Sequence, residues 1–289
     1  MVMGTSADLY NSSYVNFETR VLTGIRVETY GEDLGQTGWM TSTELRRFVR
    51  LLKITSKSHV LEVGCGSGGA AVFLARTAGC SVTGIDLNES GIRNAKRLAL
   101  ETEVSQRTVF QKVDGSRRLP FADDSFDALI CNDVMCHIPD RGKVLKDWFR
   151  VLRPGARMLF TDALVITGLI SNGEIAARSM IGNYFFLPLG ENERLIRAAG
   201  FRLFKSDDLT SACSNTATRW HDARARHSAE LFRLEGAGNY HALQKFLWCV
   251  RTLTLERRLS RFSYLAIKPN LRHRRSPRAR PNTRRQRGD

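Results

Sequence analysis

The 289-residue chain contains no apolar run of the roughly 18 residues that a transmembrane helix requires. Its amino terminus also lacks the positive charge followed by an apolar stretch that is typical of a secretory signal. Six cysteines are present, but no two form a Cys-x-x-Cys pair, so neither a zinc site nor a disulfide framework is indicated. We therefore expect a cytoplasmic protein with no membrane span and no metal, in which most cysteines are small core residues.

Acidic residues are scarce relative to basic ones. The chain has 29 Asp and Glu against 44 Lys and Arg, a formal net charge of +15. Nearly half of this excess lies in residues 270–289, which contain eight arginines, one aspartate and almost nothing apolar. We expect this stretch to be a disordered, solvated tail. The alternative is an arm for nucleic acid or an acidic partner, with salt-sensitive and non-specific affinity, and we do not expect nucleic acid to be bound.

The most informative stretch is residues 60–71, Val-Leu-Glu-Val-Gly-Cys-Gly-Ser-Gly-Gly-Ala-Ala. An apolar strand leads into a glycine turn and then into a helix of small residues, which is typical of a nucleotide-binding turn. The spacing of Gly64, Gly66 and Gly69 also satisfies the dinucleotide fingerprint, a weak signal when it stands alone. The acid just before the turn, Glu62, suits a cofactor that carries positive charge and has no pyrophosphate.

Two further predicted strands also end in an acid. Asp86 ends the strand that begins at Ser81 and lies 22 residues after Gly64, close to the spacing at which a carboxylate reaches the two ribose hydroxyls. The alternative for Asp86 is the N-cap of the following helix. Asp114 ends a third predicted strand that begins at Thr108.

Strands and helices alternate over residues 58–162, which predicts an α/β, Rossmann-like, doubly wound sheet with ligands at the carboxyl ends of its strands. We expect a mostly parallel, seven-stranded sheet with helical lid or cap insertions. Nearly sixty residues of helical character separate the strand at 201–204 from the last strand at 263–268, which is too long for an ordinary connection. The predicted organisation is a helical lid segment at 1–45, the core at 46–209, a helical cap insertion at 210–259, the last core strand at 260–269 and the tail at 270–289.

The turn with its preceding acid resembles motif I of the class I S-adenosylmethionine (SAM) dependent methyltransferases. Across residues 9–268 the chain resembles the branch that contains sarcosine/dimethylglycine and phosphoethanolamine N-methyltransferases. The stretches that carry this narrower resemblance are 31–33, 62–71, 160–162 and 218–221, and residues 119–138 resemble the fourth-strand signature of the wider superfamily. It implies that SAM donates a methyl group to nitrogen, oxygen or carbon of a small-molecule acceptor, an amine or a natural-product scaffold, and is released as S-adenosyl-L-homocysteine (SAH).

The resemblance also implies roles for individual residues. Asp86 would bind the ribose and Asp114 the adenine amino group. The expected cofactor-binding residues are Glu62, Gly64, Cys65, Gly66, Asp86, Leu87, Asp114, Gly115 and Asn132.

His137 follows the fourth strand at the point towards which the methyl group would be directed. Because its pKa lies near neutrality, it is the best candidate for a base if the acceptor must lose a proton; a structural histidine is the alternative. Related enzymes pair such a histidine with an amino-terminal tyrosine, for which Tyr14 is the nearest candidate. The expected substrate-binding residues are Trp39, Met135, His137, Tyr184, Trp220 and His221.

Three other interpretations of the function are open. An NAD-dependent oxidoreductase would use the same glycines and Asp86, but it would not explain Asp114 or residues 119–138. A nucleic-acid methyltransferase would explain the tail, yet the chain has no Asn/Asp-Pro-Pro-Tyr motif for a flipped base. A non-catalytic SAM-binding protein would keep the cofactor motifs without turnover. The sequence leaves open the accepting atom, the need for a base, and the choice between monomer and homodimer.

Overall fold

The computed structural model describes residues 12–270. After a single helical turn at 12–15, nine longer α-helices are present in this part of the chain. They are α1 (Arg20–Tyr30), α2 (Ser42–Leu52), α3 (Gly69–Ala78), α4 (Glu89–Glu101), α5 (Arg141–Val151), α6 (Asn172–Arg178), α7 (Glu191–Ala198), α8 (Thr210–Arg226) and α9 (Ser228–Leu255). The strands are β1 (His59–Val63), β2 (Ser81–Asp86), β3 (Thr108–Lys112), β4 (Phe126–Cys131), β5 (Leu152–Ile166), β6 (Leu187–Pro188), β7 (Arg202–Asp208) and β8 (Leu259–Ile267).

The strands form one sheet in the order β3-β2-β1-β4-β5-β8-β7, with the two-residue β6 added beside β5. Strands β1 to β6 pair in parallel, whereas β8 runs antiparallel to both β5 and β7. The predicted Rossmann-like, mostly parallel fold is therefore confirmed, with the short β6 as an eighth strand. The strand order reverses between β1 and β4, and in such sheets ligands bind in the crevice at that point.

Helices cover both faces of the sheet, so its central strands are apolar on both sides. Along β1, Val60 packs in the core under α2, α3 and α4, whereas Leu61 and Val63 pack in the core under α5 and α7. All six cysteines are buried free thiols, as predicted. Among residues 12–270, no helix combines the length and apolar character needed to cross a membrane.

Helices α8 and α9 form a hairpin that packs on α1. Val21 and Ile25 of α1 form an apolar cluster with Ala223, Leu231 and Tyr240 of the hairpin. On its exposed side, Glu28 of α1 also forms ion pairs with Arg226 and His227. We call α1 together with α8 and α9 the cap. That it acts as a lid, and the domain limits given above, stay predictions.

Some predicted boundaries differ from the structure. The helix predicted over 172–183 ends at Arg178. A few residues later, the Phe185 N–H donates a hydrogen bond of 2.8 Å to the carbonyl of Cys136, which holds this segment in a non-helical conformation against the loop after β4. Strand β7 continues to Asp208, well beyond the predicted end at Phe204. The predicted tail lies, except for Asn270, outside the described residues.

Candidate active site

A cavity of about 820 Å³ opens at the carboxyl ends of the parallel strands. Its walls include the glycine turn after β1, the ends of β2 and β3, the loop after β4, the loop that precedes α2, and side chains of α6, α8 and α9. The cavity therefore lies at the reversal of strand order and extends from the sheet to the cap.

Two glycines of the turn have no room for a side chain. Gly64 has a φ of +74°, and a Cβ there would lie 2.3 Å from a methyl carbon of Val134 in the loop after β4. A Cβ on Gly69 would lie 1.4 Å from the carbonyl oxygen of Leu34. The backbone before α2 thus lies directly on the start of α3, which closes one end of the cavity.

Glu62 and Asn132 present polar atoms without partners. Glu62 accepts a hydrogen bond from the Ala71 N–H, but its Oε2 has no partner within residues 12–270, and neither does either amide atom of Asn132. Burial raises the pKa of Glu62 to about 8. Buried polar groups in folded proteins are normally hydrogen-bonded, so these atoms are suited to contact a bound ligand. An ammonium group and a carboxylate, the amino-acid end of SAM, supply the donors and acceptors that these two side chains need.

Asp86 is held by the backbone of the glycine turn. Its Oδ2 accepts from the Gly66 N–H at 2.9 Å and its Oδ1 from the Asn88 N–H at 2.8 Å. Burial raises the pKa of Asp86 above its usual value. Helix α4 is capped by the side chain of Asn88, which accepts from the Gly91 N–H, so Asp86 is not the helix cap. Each carboxylate oxygen has a second acceptor site, which suits two ribose hydroxyls.

Asp114 lies at the rim of the same cavity. Hydrogen bonds from the Ser116 hydroxyl and N–H, and an ion pair with Arg117, lower the pKa of its carboxyl group. The side chain is therefore ionised and suited to accept from an amino group. Leu87, which is 65% exposed, lines this part of the cavity and offers an apolar face to a flat ring.

Tyr14 lies on the cofactor side. Its hydroxyl is 2.9 Å from the position of a Cβ on Gly66, and its side chain hydrogen-bonds with Thr37. Burial and the nearby Asp86 carboxylate raise the pKa of Tyr14, so the phenol stays neutral. The structure places Tyr14 with the predicted cofactor residues, where a neutral phenol can donate but cannot act as a base. A catalytic role for it beside His137 stays a prediction.

His137 ends a 3₁₀ turn, Met135–His137, in the loop after β4. Its Nδ1 lies 3.0 Å from the carbonyl oxygen of Asn183, and its ring lies 4.5 Å from the ring of Tyr184. Because a carbonyl only accepts, Nδ1 carries the proton and the basic lone pair of the neutral ring is on Nε2. Burial lowers the pKa of His137 below its usual value, so the ring is neutral at pH 7.

Two buried ionic networks hold these loops, and neither was predicted. Arg261 of β8 donates to both carboxylate oxygens of Asp133, at 2.8 and 3.1 Å, and to Glu44 of α2. The second oxygen of Asp133 also accepts from the Trp39 N–H. The only sign of this network in the sequence is a charged residue within the last strand. Its partners lie up to 217 positions away, so no local pattern connects them.

The second network involves Asp162, which belongs to one of the stretches that carried the family resemblance. Asp162 accepts from Arg141 at 2.5 Å and from the Asn192 amide at 2.8 Å, and all three side chains are buried. Arg141 also donates to the carbonyl of Phe185. The network therefore fixes the segment that supplies the carbonyl of Asn183 to His137.

Two residues that were predicted to bind the substrate do not line the cavity. Met135 is fully buried in the core under α5, since residues two apart in a 3₁₀ turn face different directions and His137 takes the cavity side. His221 packs against Trp248 and hydrogen-bonds with Asp222, away from the cavity. It follows Trp220 directly on α8, so the two side chains point about 100° apart and only Trp220 faces the cavity.

The remaining predicted residues all line the cavity. They are Tyr14, Trp39, Glu62, Gly64, Cys65, Gly66, Asp86, Leu87, Asp114, Gly115, Asn132, His137, Tyr184 and Trp220. Their individual roles stay predictions. The cavity wall on the side of the cap also contains Arg178 and Phe246, which the sequence did not single out.

Comparison with known proteins places the chain in a family. Residues 61–160 match a family model described as a methyltransferase domain. The chain is 30% identical over 201 residues to the 27-O-demethylrifamycin SV methyltransferase of Amycolatopsis mediterranei, an alignment that covers 68% of this chain and 72% of that protein. It is 33% identical over 214 residues to the O-methyltransferase resE of Aspergillus sclerotiorum, covering 71% and 80%.

The fold is similar to that of Haemonchus contortus phosphoethanolamine N-methyltransferase 2, solved with phosphomonomethylethanolamine and SAH. The TM-score is 0.76 at 19% identity, over 91% of this chain and 61% of that one. The NAD-dependent and nucleic-acid alternatives gain no support from these proteins. The chain therefore belongs to the class I SAM-dependent methyltransferases, in the branch that its motifs predicted, and transfers a methyl group from SAM to a small molecule.

Proposed function

We propose that this enzyme methylates a hydroxyl group of a small natural-product acceptor, with His137 as the general base. The observation that carries the proposal is the neutral imidazole at the cavity wall, which is oriented by Asn183 so that Nε2 is the basic nitrogen. A hydroxyl group keeps its proton at neutral pH and needs such a base to become a good nucleophile. One of the relatives described above is an O-methyltransferase by name, and the other is named as the methyltransferase of a 27-O-demethyl compound, which supports oxygen as the accepting atom.

The residues predicted to bind the cofactor fall into three groups, one for each part of SAM. We assign Glu62 and Asn132 to the amino-acid end of SAM, Asp86 to the ribose hydroxyls, and Asp114 to the adenine amino group. When bound, SAM supplies a methyl carbon on a positively charged sulfur, which an oxygen nucleophile can attack.

His137 accepts the hydroxyl proton on Nε2, and the bond from Nδ1–H to the carbonyl of Asn183 stabilises the imidazolium that forms. The nearby positive charge of Arg178 contributes to the lowered pKa of His137 and so keeps the base unprotonated before reaction. Holding the acceptor in line with the methyl group supplies most of the rate, an effect that can reach about 7–11 kcal/mol. The cap keeps water away from the reacting oxygen.

The electrostatics of the cavity favour a hydroxyl over an amine. Three aromatic rings that could hold a cationic amine, those of Trp39, Tyr184 and Phe246, instead surround the guanidinium of Arg178 at 5.9, 4.6 and 4.7 Å. A protonated amine entering this part of the cavity would meet a positive charge of the same sign. N-methylation, the activity in the name of the Haemonchus enzyme, is therefore the second candidate.

An acceptor screen tests the proposal. The full chain is incubated with SAM carrying a deuterated methyl group and with matched pairs of aromatic and polyketide-like acceptors that differ only in hydroxyl against amine. We expect labelled product from the hydroxyl members, with the label on oxygen by NMR. Label on nitrogen alone, or transfer only to the amine members, would contradict O-methylation.

Binding of SAM should release a proton through Glu62. With a pKa of about 8, Glu62 is largely protonated at pH 7, and an ammonium group beside it favours the ionised form. We expect release of close to one proton per SAM at pH 7, and an affinity that rises with pH up to about 8. Calorimetric titration with SAM in two buffers of different ionisation enthalpy measures the number of protons released.

Glu62→Gln provides the matched control, since it keeps the size of the side chain and cannot titrate. It should release no proton and should bind SAM with little dependence on pH. Because SAH retains the ammonium group, it should release a proton as SAM does. If wild-type protein released none with either molecule, Glu62 would not bind the amino-acid end.

Trp220 connects the cap to the cavity. Its ring lines the cavity, and its ring centroid lies 6.4 Å from that of Tyr30 and 5.9 Å from that of Trp39. Trp248, on the neighbouring helix, is 52% exposed and lies outside the cavity wall. Trp220→Ala should raise the acceptor KM by about tenfold, or ~1.4 kcal/mol, with SAM affinity unchanged. Trp248→Ala, the control, should leave KM within about twofold. Equal effects of the two substitutions would mean that the cap does not select the acceptor.

A further inference from the structure

Arg178 is a buried cation at the wall of the cavity. It is the last residue of α6 and its side chain is 1% exposed. The guanidinium lies against the faces of Tyr184 and Phe246 and near Trp39, and it faces the cavity on the side of the cap. The aromatic faces stabilise its charge but supply no hydrogen-bond acceptor in the plane of the guanidinium.

Most donors of this guanidinium have no partner in the part of the chain that the structure describes. The hydroxyl of Tyr184 accepts one hydrogen bond, but Nε and Nη1, which carry three of the five N–H groups, have none within residues 12–270. Its other polar neighbours include the thiols of Cys136 and Cys213, whose pKa values are raised by burial, so that both are neutral at pH 7.

The buried carboxylates of the region already have partners. Asp162 forms its ion pair with Arg141, and Asp133 and Glu44 form theirs with Arg261. Arg178 is thus a buried charge without a counter-ion among residues 12–270, although buried charges in proteins are normally paired. A charge left in this state indicates that its partner arrives from outside.

We propose that Arg178 binds an anionic oxygen group, a carboxylate or a phosphate monoester, of the methyl acceptor. The inference rests on the proposed function and names the substrate class for the same site. The acceptor is favoured over the carboxylate of SAM because the rings around Arg178 include Phe246 of the cap, whereas the groups that suit SAM lie on the glycine turn and at the strand ends.

The position of Arg178 also limits where the anion lies in the acceptor. His137 lies 4.5 Å and the Arg178 guanidinium 4.6 Å from the same ring of Tyr184. The two groups therefore lie within about 9 Å of each other, and an acceptor that presents its hydroxyl to His137 carries its anion within that span. Small hydroxylated aromatic acids and hydroxylated phosphate monoesters have this arrangement.

The test measures binding to SAH-saturated full-length protein by calorimetry, so it does not depend on turnover. The probes are 3,4-dihydroxybenzoate with its neutral amide and phenyl phosphate with phenol. Wild-type protein should bind at least one anion at least tenfold more tightly than its neutral counterpart, and the better pair distinguishes carboxylate from phosphate. Arg178→Met should abolish that preference, and Arg178→Lys should retain part of it.

Two further measurements separate ligand binding from a structural role. Replacing an unpaired buried cation by an apolar side chain of similar length should leave Tm unchanged or raise it, and SAM affinity should stay within about twofold of wild type. The control, Arg251→Met, removes an arginine that packs on Trp248 outside the cavity, and it should change neither the preference nor the affinity for SAM.

Three results would overturn the proposal. One is equal binding of anionic and neutral probes by wild-type protein. Another is a matching loss of SAM and SAH affinity in Arg178→Met, which would assign the guanidinium to the cofactor. The third is a large fall in Tm on Arg178→Met while the Arg178→Met protein that folds keeps the preference for anions. Failure of O-methylation would appear instead in the acceptor screen, with the anion preference intact.

Discussion

Substitution of His137 by Gln should lower kcat by about 10²–10⁴-fold, the usual contribution of a general base. Gln keeps a polar side chain of similar reach but cannot accept a proton at neutral pH. SAM affinity should stay within about twofold, because His137 is not among the residues assigned to the cofactor. The measurement is steady-state methyl transfer to the best acceptor of the screen, together with SAM titration.

His221→Gln is the matched control for this substitution. His221 lies on the cap, where it contacts Trp248 and Asp222 outside the cavity, so its loss should leave kcat nearly unchanged. Equal losses in the two variants, or an unchanged kcat in His137→Gln, would contradict the assignment of the base.

The pH dependence gives a second readout of the same residue. Burial lowers the pKa of His137 below its usual 6.5, so the basic form is present at neutral pH and is lost as the pH falls through that lower value. With SAM saturating, kcat/KM for the acceptor should therefore be flat near pH 7 and should fall on the acid side below 6.5. The acid limb should disappear from the residual activity of His137→Gln. The same limb in both proteins would show that another group titrates.

Substitution of Asp86 by Ala should weaken SAM binding by roughly 1.5–3 kcal/mol, or about tenfold to 150-fold. The carboxylate is already fixed by the N–H groups of Gly66 and Asn88, so it meets the ribose hydroxyls without rearrangement. Calorimetric titration with SAM and SAH measures the loss, and Tm shows whether the glycine turn has stayed folded.

A double comparison isolates the ribose contact. An SAH analogue that lacks both ribose hydroxyls should bind wild-type protein and Asp86→Ala with similar affinity, because the contact is absent in both cases. If Asp86→Ala lost as much affinity for this analogue as for SAH, the carboxylate would act by holding the turn and not by binding the ribose.

Features that depend on local sequence were predicted correctly. The glycines after β1 and the apolar strands have signals within a few residues, so the mostly parallel sheet and the position of the cavity at its carboxyl edge followed from pattern. The same holds for Asp86, since a carboxylate at the end of the second strand necessarily lies beside the glycine turn in a parallel sheet.

Features that depend on distant residues were not predicted. Arg261 meets Asp133 from 128 positions away, and the aromatic rings around Arg178 come from three separate segments. No local pattern distinguishes these arginines from the many exposed ones in this basic chain. The errors at Met135 and His221 have a different cause, since neighbours in sequence were assigned to one site although helical geometry directs them to different sides.

The position of the cofactor is the central claim, and a crystal structure of the full chain with SAH tests it most directly. We expect the ribose hydroxyls to lie within ~2.6–3.2 Å of the Asp86 carboxylate, with the amino-acid end at Glu62 and Asn132 and the adenine amino group at Asp114. The sulfur should face the part of the cavity lined by His137 and Arg178. SAH bound with its ribose away from Asp86, or with its carboxylate on Arg178, would contradict it.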